Sequence, residues 1–321
     1  MLPKYMAISS KALDPVFLHA RNFPVPGEVS WAAHEKAMQA FKEGTEMEGK
    51  GQQSLLDLKQ KLAISLMESC GICEHRCGVN RNIGETGKCG VKHPLIASMF
   101  HHMGEEAVLV PSYTIFFAGC TFECVFCQNW DISQNPNAGK YFPPKDLAQH
   151  LNDVQRARNV NWVGGDPTSN LAYILEVLSQ VENPLPQVWN SNMYLSEEAM
   201  SLLEGVIDLY LTDFKYGNER CARELSNVER YFEVVSRNHI LARKQTEVLV
   251  RHLVLPGHVD CCSLPIMDWL AENTPDVVVN VMGQYRPQYK ASEYPSINRF
   301  PELHELEKVK DHAEELGLIL I

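Results

Sequence analysis

Six apolar, β-rich runs alternate with amphipathic helical stretches from about residue 112 onward, and this alternation constrains the fold more than any other feature. The runs cover residues 113–118, 160–164, 186–190, 207–213, 247–255 and 277–282. Strands that alternate with helices form a parallel sheet through right-handed crossovers. We therefore expect an α/β fold, either a doubly wound sheet or a partial barrel. In both architectures the active site lies at the C-terminal ends of the strands.

The residues before this alternation predict a helical, cysteine-rich extension. We expect residues 1–110 to form this extension and residues 111–321 to form the barrel or sheet domain. Residues 1–30 contain several prolines and little periodicity, which is typical of an irregular arm. Ser54 can cap a helix that carries leucines along one face. The other predicted helices cover residues 31–43, 144–157, 171–178, 196–205, 218–243 and 264–272. The apolar run 316–321 is compatible with a final strand or with a contact surface.

Composition excludes several classes of function. The chain is 45% hydrophobic and 21% charged, which is ordinary for a soluble globular protein. Its net charge of −11 argues against a general nucleic-acid binder. No signal-peptide pattern and no apolar run long enough to span a bilayer occurs, so we expect a cytoplasmic protein with no membrane partner. In that compartment ten cysteines indicate metal binding or catalysis rather than disulfides.

Three of these cysteines directly follow the first predicted strand. Cys120, Cys124 and Cys127 have the spacing Cys-x3-Cys-x2-Cys, and Gly119 precedes them. An ordinary [4Fe-4S] cluster has four cysteine ligands. A compact set of three therefore leaves one iron open for chemistry. The alternative is a zinc site whose fourth ligand is Glu123 or a distant histidine.

The triad resembles the signature of the radical S-adenosylmethionine (SAM) superfamily. The resemblance implies a partial (β/α)6 TIM-like barrel in which the three cysteines bind a [4Fe-4S] cluster and SAM chelates the fourth iron. It also implies that reductive cleavage of SAM yields a 5′-deoxyadenosyl radical, which abstracts hydrogen from a substrate. The cofactor carries this chemistry, while the protein supplies position and excludes water.

Motifs at the following strand ends extend the resemblance. Residues 164–167, Gly-Gly-Asp-Pro, resemble the superfamily's Gly-Gly-Glu-Pro, and residues 213–215 resemble the Asp-x-Lys of activating enzymes. An exposed ion pair is the alternative for Asp213 and Lys215. For His252, His258 and Gln284, substrate contact and packing both remain open. The resemblance implies this SAM-binding set: Phe126, Gly164, Gly165, Asp166, Pro167, Asn190, Ser191, Asn192, Asp213, Lys215 and Arg251.

A second cysteine group lies upstream of the triad, at Cys70, Cys73, Cys77 and Cys89. Four thiolates can close a zinc site or saturate an auxiliary iron–sulfur cluster. This tetrad, together with the triad, resembles pyruvate formate-lyase activating enzyme-like proteins that carry an N-terminal cysteine motif. That resemblance implies an oxidoreductase that abstracts hydrogen from a glycine of a partner enzyme, with flavodoxin or ferredoxin as electron donor.

Three cysteines remain outside both groups. Cys221 is expected to be a small buried hydrophobe in a helix. Cys261 and Cys262 form a vicinal pair for which neither metal nor redox work is expected.

A non-catalytic iron–sulfur or zinc protein, acting in electron transfer or as a scaffold, is the competing hypothesis. Such a carrier has no need of the Gly-Gly-Asp-Pro and Asp-x-Lys motifs. These motifs therefore favour the enzyme.

Overall fold

A nine-stranded sheet forms the body of the molecule in the computed structural model, which describes residues 1–49 and 53–321. A separate pair of two-residue strands lies in the N-terminal region. In chain order the strands are β1 Pro24–Val25, β2 Gln53–Ser54, β3 Leu95–His102, β4 Ser112–Phe117, β5 Lys140–Tyr141, β6 Asn159–Gly164, β7 Gln187–Ser191, β8 Leu209–Asp213, β9 Glu247–Leu253, β10 Val278–Met282 and β11 Ile319–Leu320.

The strand order decides between the two predicted architectures. The large sheet runs β11-β10-β9-β8-β7-β6-β4-β3-β5, so strands β4 and β6 to β11 succeed one another in space as they do along the chain. Each of these seven strands pairs in parallel with its neighbour. A doubly wound sheet needs a point where the order reverses. Because the parallel strands show no reversal, the sheet is a partial barrel, and the α/β prediction is confirmed.

All six predicted strands are present, and the sheet also contains three further strands, of which the pattern missed β3 and β5. Strand β3 pairs antiparallel with β4, and β5 pairs antiparallel with β3. Strand β3 precedes residue 110, so the sheet begins before the predicted domain boundary; the division into two domains stays a prediction. The C-terminal run supplies β11, which settles the two alternatives in favour of a final strand.

Helices cover the outside of the barrel and build the N-terminal region. They are α1 Pro3–Ser9, α2 Val16–Asn22, α3 Trp31–Glu43, α4 Leu55–Glu68, α5 Trp130–Ser133, α6 Pro144–Asn152, α7 Leu171–Leu178, α8 Glu197–Leu203, α9 Glu219–Ser226, α10 Tyr231–Gln245, α11 Leu264–Asn273 and α12 Leu303–Glu315. Among the described helices, none combines the length and the apolar character needed to cross a bilayer.

Helix α4 begins where the sequence predicts. Ser54 Oγ accepts a hydrogen bond from the Asp57 N–H at 3.1 Å, and the Asp57 carboxylate accepts one from the Ser54 N–H at 2.9 Å. This reciprocal pair is a capping box. The helix packs across α7 and α8 and delivers the chain to the cysteine tetrad.

The prediction of an irregular arm over residues 1–30 is wrong, because α1 and α2 form there. Helix α1 closes the N-terminal end of the barrel. The N–H groups of Lys4 and Tyr5 donate to the Glu247 carboxylate of β9, at 3.0 and 2.7 Å. Asn159 Nδ2 donates to Tyr5 Oη at 2.7 Å. Short-range pattern could not reveal this helix, since its cap comes from a residue far along the chain.

The barrel interior is a small apolar cluster that lies below the predicted site. It packs Leu2, Tyr5 and Leu109 against inward-facing residues of four strands, which are Val188, Leu209, Leu211, Leu249 and Val278. Alternate residues of a strand share one face. Asp213 therefore faces inward with Leu211, and Arg251 faces inward with Leu249. The strand period thus directs the polar strand-end residues into the barrel.

One predicted helix, over residues 218–243, is two helices in the structure. Asn227 adopts a left-handed conformation with φ of 53° and ends α9. The Glu219 carboxylate accepts hydrogen bonds from the Tyr231 and Phe232 N–H groups, at 2.6 and 2.9 Å, and so starts α10. This break leaves Ser226 at the last position of α9, close to the cysteine triad.

Candidate active site

The cysteine triad lies on the loop that leaves β4, at the C-terminal end of the barrel. Gly119 has φ of +85°, and a Cβ there would lie 2.3 Å from Val91 Cγ2, so only glycine permits this exit. Cys120, Cys124 and Cys127 line a cavity of about 360 Å³. The predicted position of the triad after the first barrel strand is confirmed.

Each thiol of the triad has a hydrogen-bonding partner on its sulfur. The Phe122 N–H donates to Cys120 Sγ at 3.3 Å, and Ser226 Oγ donates to Cys124 Sγ at 2.9 Å. Cys127 Sγ and Ser133 Oγ are 3.2 Å apart. Hydrogen bonds to cysteine sulfurs tune the potential of iron–sulfur clusters. The triad therefore fits cluster ligation in both its position and its surroundings.

Burial holds two of these thiols in their protonated form until a metal replaces the proton. It raises the pKa of Cys120 well above the usual value. Burial also raises the pKa of Cys124, against the opposing charge of Lys215. Since metal ligands bind as thiolates, cluster assembly must release these protons.

The Gly-Gly-Asp-Pro segment at the end of β6 packs its backbone closely against the backbone of the triad loop. A Cβ on Gly165 would lie 2.0 Å from the Gly119 carbonyl oxygen, and Gly164 has φ of +133°. The Gly165 N–H donates to the Phe117 carbonyl at 2.9 Å, and the Asp166 N–H donates to the Gly119 carbonyl at 3.1 Å. Both glycines are therefore required for the approach of the two backbones.

The buried carboxylate of Asp166 forms hydrogen bonds with groups at the ends of two neighbouring strands, β6 and β7. Its carboxylate accepts hydrogen bonds from the Thr168 N–H, Ser191 Oγ and the Asn192 N–H, at 2.9, 3.0 and 2.9 Å. Burial raises the pKa of Asp166, while these hydrogen bonds oppose the rise. Asn192 Nδ2 in turn donates to Thr121 Oγ1 of the triad loop at 2.9 Å. The carboxylate thus positions the end of β7 against the triad.

Asp213 and Lys215 form an ion pair in the cavity wall. Lys215 Nζ lies 2.7 Å from Asp213 Oδ2, and the two side chains are only 19% and 31% exposed, so the solvent-exposed alternative does not hold. Burial lowers the pKa of Lys215, but the Asp213 carboxylate outweighs this effect and raises it to about 12. Lys215 therefore presents a positive charge beside the triad.

Arg251 also lines the cavity, but two acidic residues that the sequence analysis missed bind its guanidinium. Arg251 donates to both carboxylate oxygens of Glu106, at 2.8 and 2.6 Å, and to Glu105. Asn280 Nδ2 donates to Glu106 at 2.8 Å, and Asn161 Nδ2 donates to Glu105 at 3.0 Å. Burial raises the pKa of Glu106, but Arg251 overcomes this effect and lowers it. The adjacent pair of glutamates just before the first barrel strand is the sequence feature that could have indicated acidic residues at this site.

Ten of the eleven predicted SAM-binding residues line this cavity with the triad. Phe126 forms its apolar side, where it packs edge-on against Tyr285 at a centroid distance of 5.9 Å. Among the described residues, Pro167 is the predicted member that does not line the cavity. It is buried and begins the 3-10 helix Pro167–Asn170. The individual contacts of these residues with SAM stay predictions.

The cysteine tetrad lies on a loop that packs against the triad loop. His75 Nε2 lies 2.7 Å from the Thr121 carbonyl oxygen, and Lys88 Nζ lies 2.7 Å from Glu123 Oε1. Cys70 and Cys73 are buried, and Cys77 and Cys89 are partly exposed. The four tetrad thiols are not all within 4.8 Å of one another, in contrast to the group Cys221, His258, Cys261 and Cys262. That group was not predicted from the sequence.

Comparison with known proteins agrees with this geometry. The profile of the radical SAM superfamily matches residues 114–270. An uncharacterised protein of Methanocaldococcus jannaschii, MJ0674, is 52% identical over 277 residues, which cover 84% of this chain and 81% of that protein. Residues 114–270 therefore form a domain of the radical SAM superfamily, whose members bind SAM and a [4Fe-4S] cluster.

A solved structure of Streptococcus suis SuiB shares the fold at low sequence identity. SuiB bound to its precursor peptide SuiA is 12% identical, with a TM-score of 0.50 over 90% of this chain and 61% of the SuiB chain. SuiB bound to SAM is 14% identical, with a TM-score of 0.48 over 63% of this chain and 47% of the SuiB chain. This chain thus spans about half to three fifths of the length of the SuiB chains it matches.

Proposed function

We propose that this radical SAM enzyme binds its cluster through Cys120, Cys124 and Cys127 and generates a radical that abstracts hydrogen from a polypeptide. The observation that supports the proposal is the convergence of the three thiols and the polar ends of strands β6 to β9 on one cavity. When bound, the [4Fe-4S] cluster and SAM supply reductive cleavage to a 5′-deoxyadenosyl radical. A carrier protein has no use for a built cavity beside its metal.

The residues of the cavity have complementary roles in this proposal. Lys215 is cationic at neutral pH and offers its charge to the SAM carboxylate. The backbone carbonyls at Gly164 and Gly165 offer acceptors to the SAM amino group. Asn190 lines the same wall and can meet the ribose hydroxyls, while Phe126 offers an apolar face to the adenine. Burial of these groups excludes water from the radical.

Anaerobic reconstitution with iron and sulfide, followed by reduction with dithionite, tests the proposal. The wild-type protein should convert SAM to 5′-deoxyadenosine, and Cys124→Ala should lose both the cluster absorbance and the product. Lys215→Met should keep the cluster but bind SAM about 10- to 100-fold more weakly, because one charge-assisted contact is lost. Lys140→Met, at an exposed lysine, is the matched control. A fully reconstituted, reduced protein that forms no 5′-deoxyadenosine would refute the proposal.

The rim of the cavity supports a polypeptide substrate. Gln128 and Asn129 line the cavity, and Trp130 follows them with 44% of its surface exposed. Trp130 stacks on Tyr289 at a centroid distance of 5.5 Å and an interplanar angle of 11°. Exposed aromatic side chains of this kind are enriched in protein interfaces. We propose a glycine of a partner enzyme as the site of hydrogen abstraction, in keeping with the activating-enzyme resemblance.

Isotope transfer tests the glycine substrate separately from SAM cleavage. A dialysed protein extract of the source organism, grown on glycine deuterated at Cα, is incubated with the active enzyme and SAM. Hydrogen abstraction from a protein glycine transfers deuterium to 5′-deoxyadenosine, which mass spectrometry detects. An extract from cells grown on unlabelled glycine is the control. Product formation without deuterium would refute the glycine substrate and leave SAM cleavage intact.

For the tetrad, we propose an auxiliary iron–sulfur cluster rather than zinc. Ligands that share one zinc ion lie about 3.8 Å apart when they are thiolates, and the tetrad thiols are not gathered so closely. The tetrad loop contacts the triad loop through His75 and Lys88, which suits electron delivery. Iron content should fall by about half in Cys73→Ala while the triad cluster remains. If Cys73→Ala instead lost zinc and kept all its iron, the proposal would be contradicted.

A further inference from the structure

A third group of metal-ligand side chains lies outside the cavity and outside the tetrad. We propose that Cys221, His258, Cys261 and Cys262 bind a single zinc ion in a closed, tetrahedral, structural site. Their ligand atoms all lie within 4.8 Å of one another. Cys221, His258 and Cys262 are buried, and Cys261 is partly exposed.

The distances within the group match the edges of a zinc tetrahedron. Zinc–sulfur bonds of about 2.3 Å and zinc–nitrogen bonds of about 2.0 Å place two sulfurs about 3.8 Å apart and a sulfur and a nitrogen about 3.5 Å apart. Cys261 Sγ lies 3.8 Å from Cys221 Sγ and 3.9 Å from Cys262 Sγ. His258 Nδ1 lies 3.5 Å from the Sγ atoms of both Cys221 and Cys261. A set of three thiols and one imidazole is a common structural zinc set.

The chain builds this group from the connections that follow two neighbouring strands. Cys221 lies on α9, after β8, and the other three residues lie between β9 and α11. Cys261 and Cys262 are part of the single π-helical turn Val259–Ser263, and π turns are often found at functional sites. This turn is the reason that two adjacent cysteines can face the same point.

Neighbouring polar groups orient the ligands. His258 Nε2 lies 3.3 Å from Ser296 Oγ, which leaves Nδ1 directed at the thiols. Asn218 Oδ1 accepts a hydrogen bond from the Cys221 N–H at 2.9 Å, and its Nδ2 donates to the Cys261 carbonyl at 2.6 Å. Asn218 therefore ties the two halves of the group together. Partners of this kind around the ligands are typical of metal sites.

The same spacing argues against the other uses of three neighbouring thiols. A [4Fe-4S] cluster binds each thiolate through a different iron. Its ligands therefore lie further apart than those that share one ion. A disulfide requires sulfurs about 2.05 Å apart, and all three cysteines are free. A mononuclear site is the arrangement that fits.

Zinc at this point would fix the start of α9. Cys221 and Ser226 belong to the same helix, and Ser226 Oγ donates to Cys124 Sγ of the triad. The zinc ion would therefore hold in place the helix that presents a hydrogen bond to the radical SAM cluster. The site requires no SAM, so its failure would leave the proposed SAM cleavage untouched.

Zinc analysis of the full-length protein, purified under anaerobic conditions from zinc-supplemented cells, tests the site. His258→Ala and Cys262→Ser should each lose about one equivalent of zinc per chain relative to the wild type. Ser296→Ala keeps every ligand and should bind zinc about 10- to 100-fold more weakly. His304→Ala, at a histidine whose side chain is 71% exposed, is the matched control and should keep all its zinc. Equal zinc content in the wild type, His258→Ala and Cys262→Ser would overturn the proposal. The proposal would also be overturned if the two variants lost iron rather than zinc.

Thiol alkylation of the wild-type protein gives a second test that no folding defect can obscure. Mass spectrometry should find Cys221, Cys261 and Cys262 unmodified by iodoacetamide until a zinc chelator is added. Cobalt titrated into the chelated protein should then give the absorption of a tetrahedral thiolate complex. Free reaction of the three cysteines before chelation, or a disulfide among them, would overturn the zinc site.

Discussion

Replacement of Asp166 by asparagine tests whether one buried carboxylate holds two strand ends at the active site. One oxygen accepts from the Thr168 N–H, and the other accepts from Ser191 Oγ and the Asn192 N–H. Asparagine has only one acceptor oxygen. If that oxygen keeps Thr168, the new NH2 group faces the donors of Ser191 and Asn192.

The structure sets the size of the effect. A buried donor left without an acceptor costs about 1 to 3 kcal/mol, and hydrogen bonds to a charged group contribute about 1.5 to 3 kcal/mol each. Removal of the buried charge offsets part of this loss, because burial raises the pKa of Asp166. We expect the free energy of unfolding to fall by about 2 kcal/mol. The affinity for SAM should fall with it, because Asn192 and Ser191 lose their fixed positions.

Urea unfolding, followed by tryptophan fluorescence, measures the first quantity. Trp162 in β6 and Trp189 in β7 are both buried beside the affected strand ends. Asp14→Asn removes an exposed carboxylate and should change the unfolding free energy by less than about 0.5 kcal/mol. Asp166→Glu restores both acceptor oxygens and should recover part of the loss. Wild-type stability and wild-type SAM affinity in Asp166→Asn would refute the reasoning.

Three further predictions concern single side chains. Ser226→Ala removes the hydrogen bond to Cys124 Sγ, so the reduction potential of the reconstituted cluster should fall by about 40 to 60 mV in an EPR-monitored titration; an unchanged potential would show that this bond does not reach the cluster. Lys59 is buried, and burial lowers its pKa to about 7, so the folded state binds fewer protons than the unfolded chain above that pH. The stability of the wild type relative to Lys59→Met should therefore rise by about 3 kcal/mol between pH 7 and 9.5 in urea unfolding, and a constant difference would count against it. Glu247→Gln should cost about 1 to 2 kcal/mol and speed hydrogen exchange in α1, because its N–H groups lose a charged acceptor; slow exchange in the variant would contradict this.

The sequence predicted the elements whose stability is local and missed those that depend on distant partners. The six predicted barrel strands are short runs rich in apolar residues, and the capping box of α4 lies within four residues, so both were predictable. Strand β3 has one buried residue, Ile96, among partly and fully exposed ones, and it contains two histidines, so its sequence gave no signal of a strand. Helix α1 has seven residues and takes its cap from Glu247. Neither feature follows from local periodicity.

The residues of the candidate site also fall into those that local sequence predicts and those that depend on distant partners. The triad and the strand-end motifs were found because their residues are adjacent in sequence. The roles of Glu105 and Glu106 were not predicted, because their partner Arg251 lies about 145 residues away along the chain. The group of Cys221 with Cys261 and Cys262 escaped because its members lie on two separate connections. Only the π turn shows that the vicinal cysteines face one point.

Closure of the barrel by α1 has a consequence for synthesis on the ribosome. Tyr5 and its partner Glu247 are 242 residues apart. At about 5 to 20 residues per second, the N-terminal helix emerges on the order of 10 to 50 seconds before its partner strand is made. An isolated helix of seven residues is unstable in water. The α1 segment therefore stays unstructured in the nascent chain until the fifth barrel strand has emerged, and only then can it close the N-terminal end of the barrel.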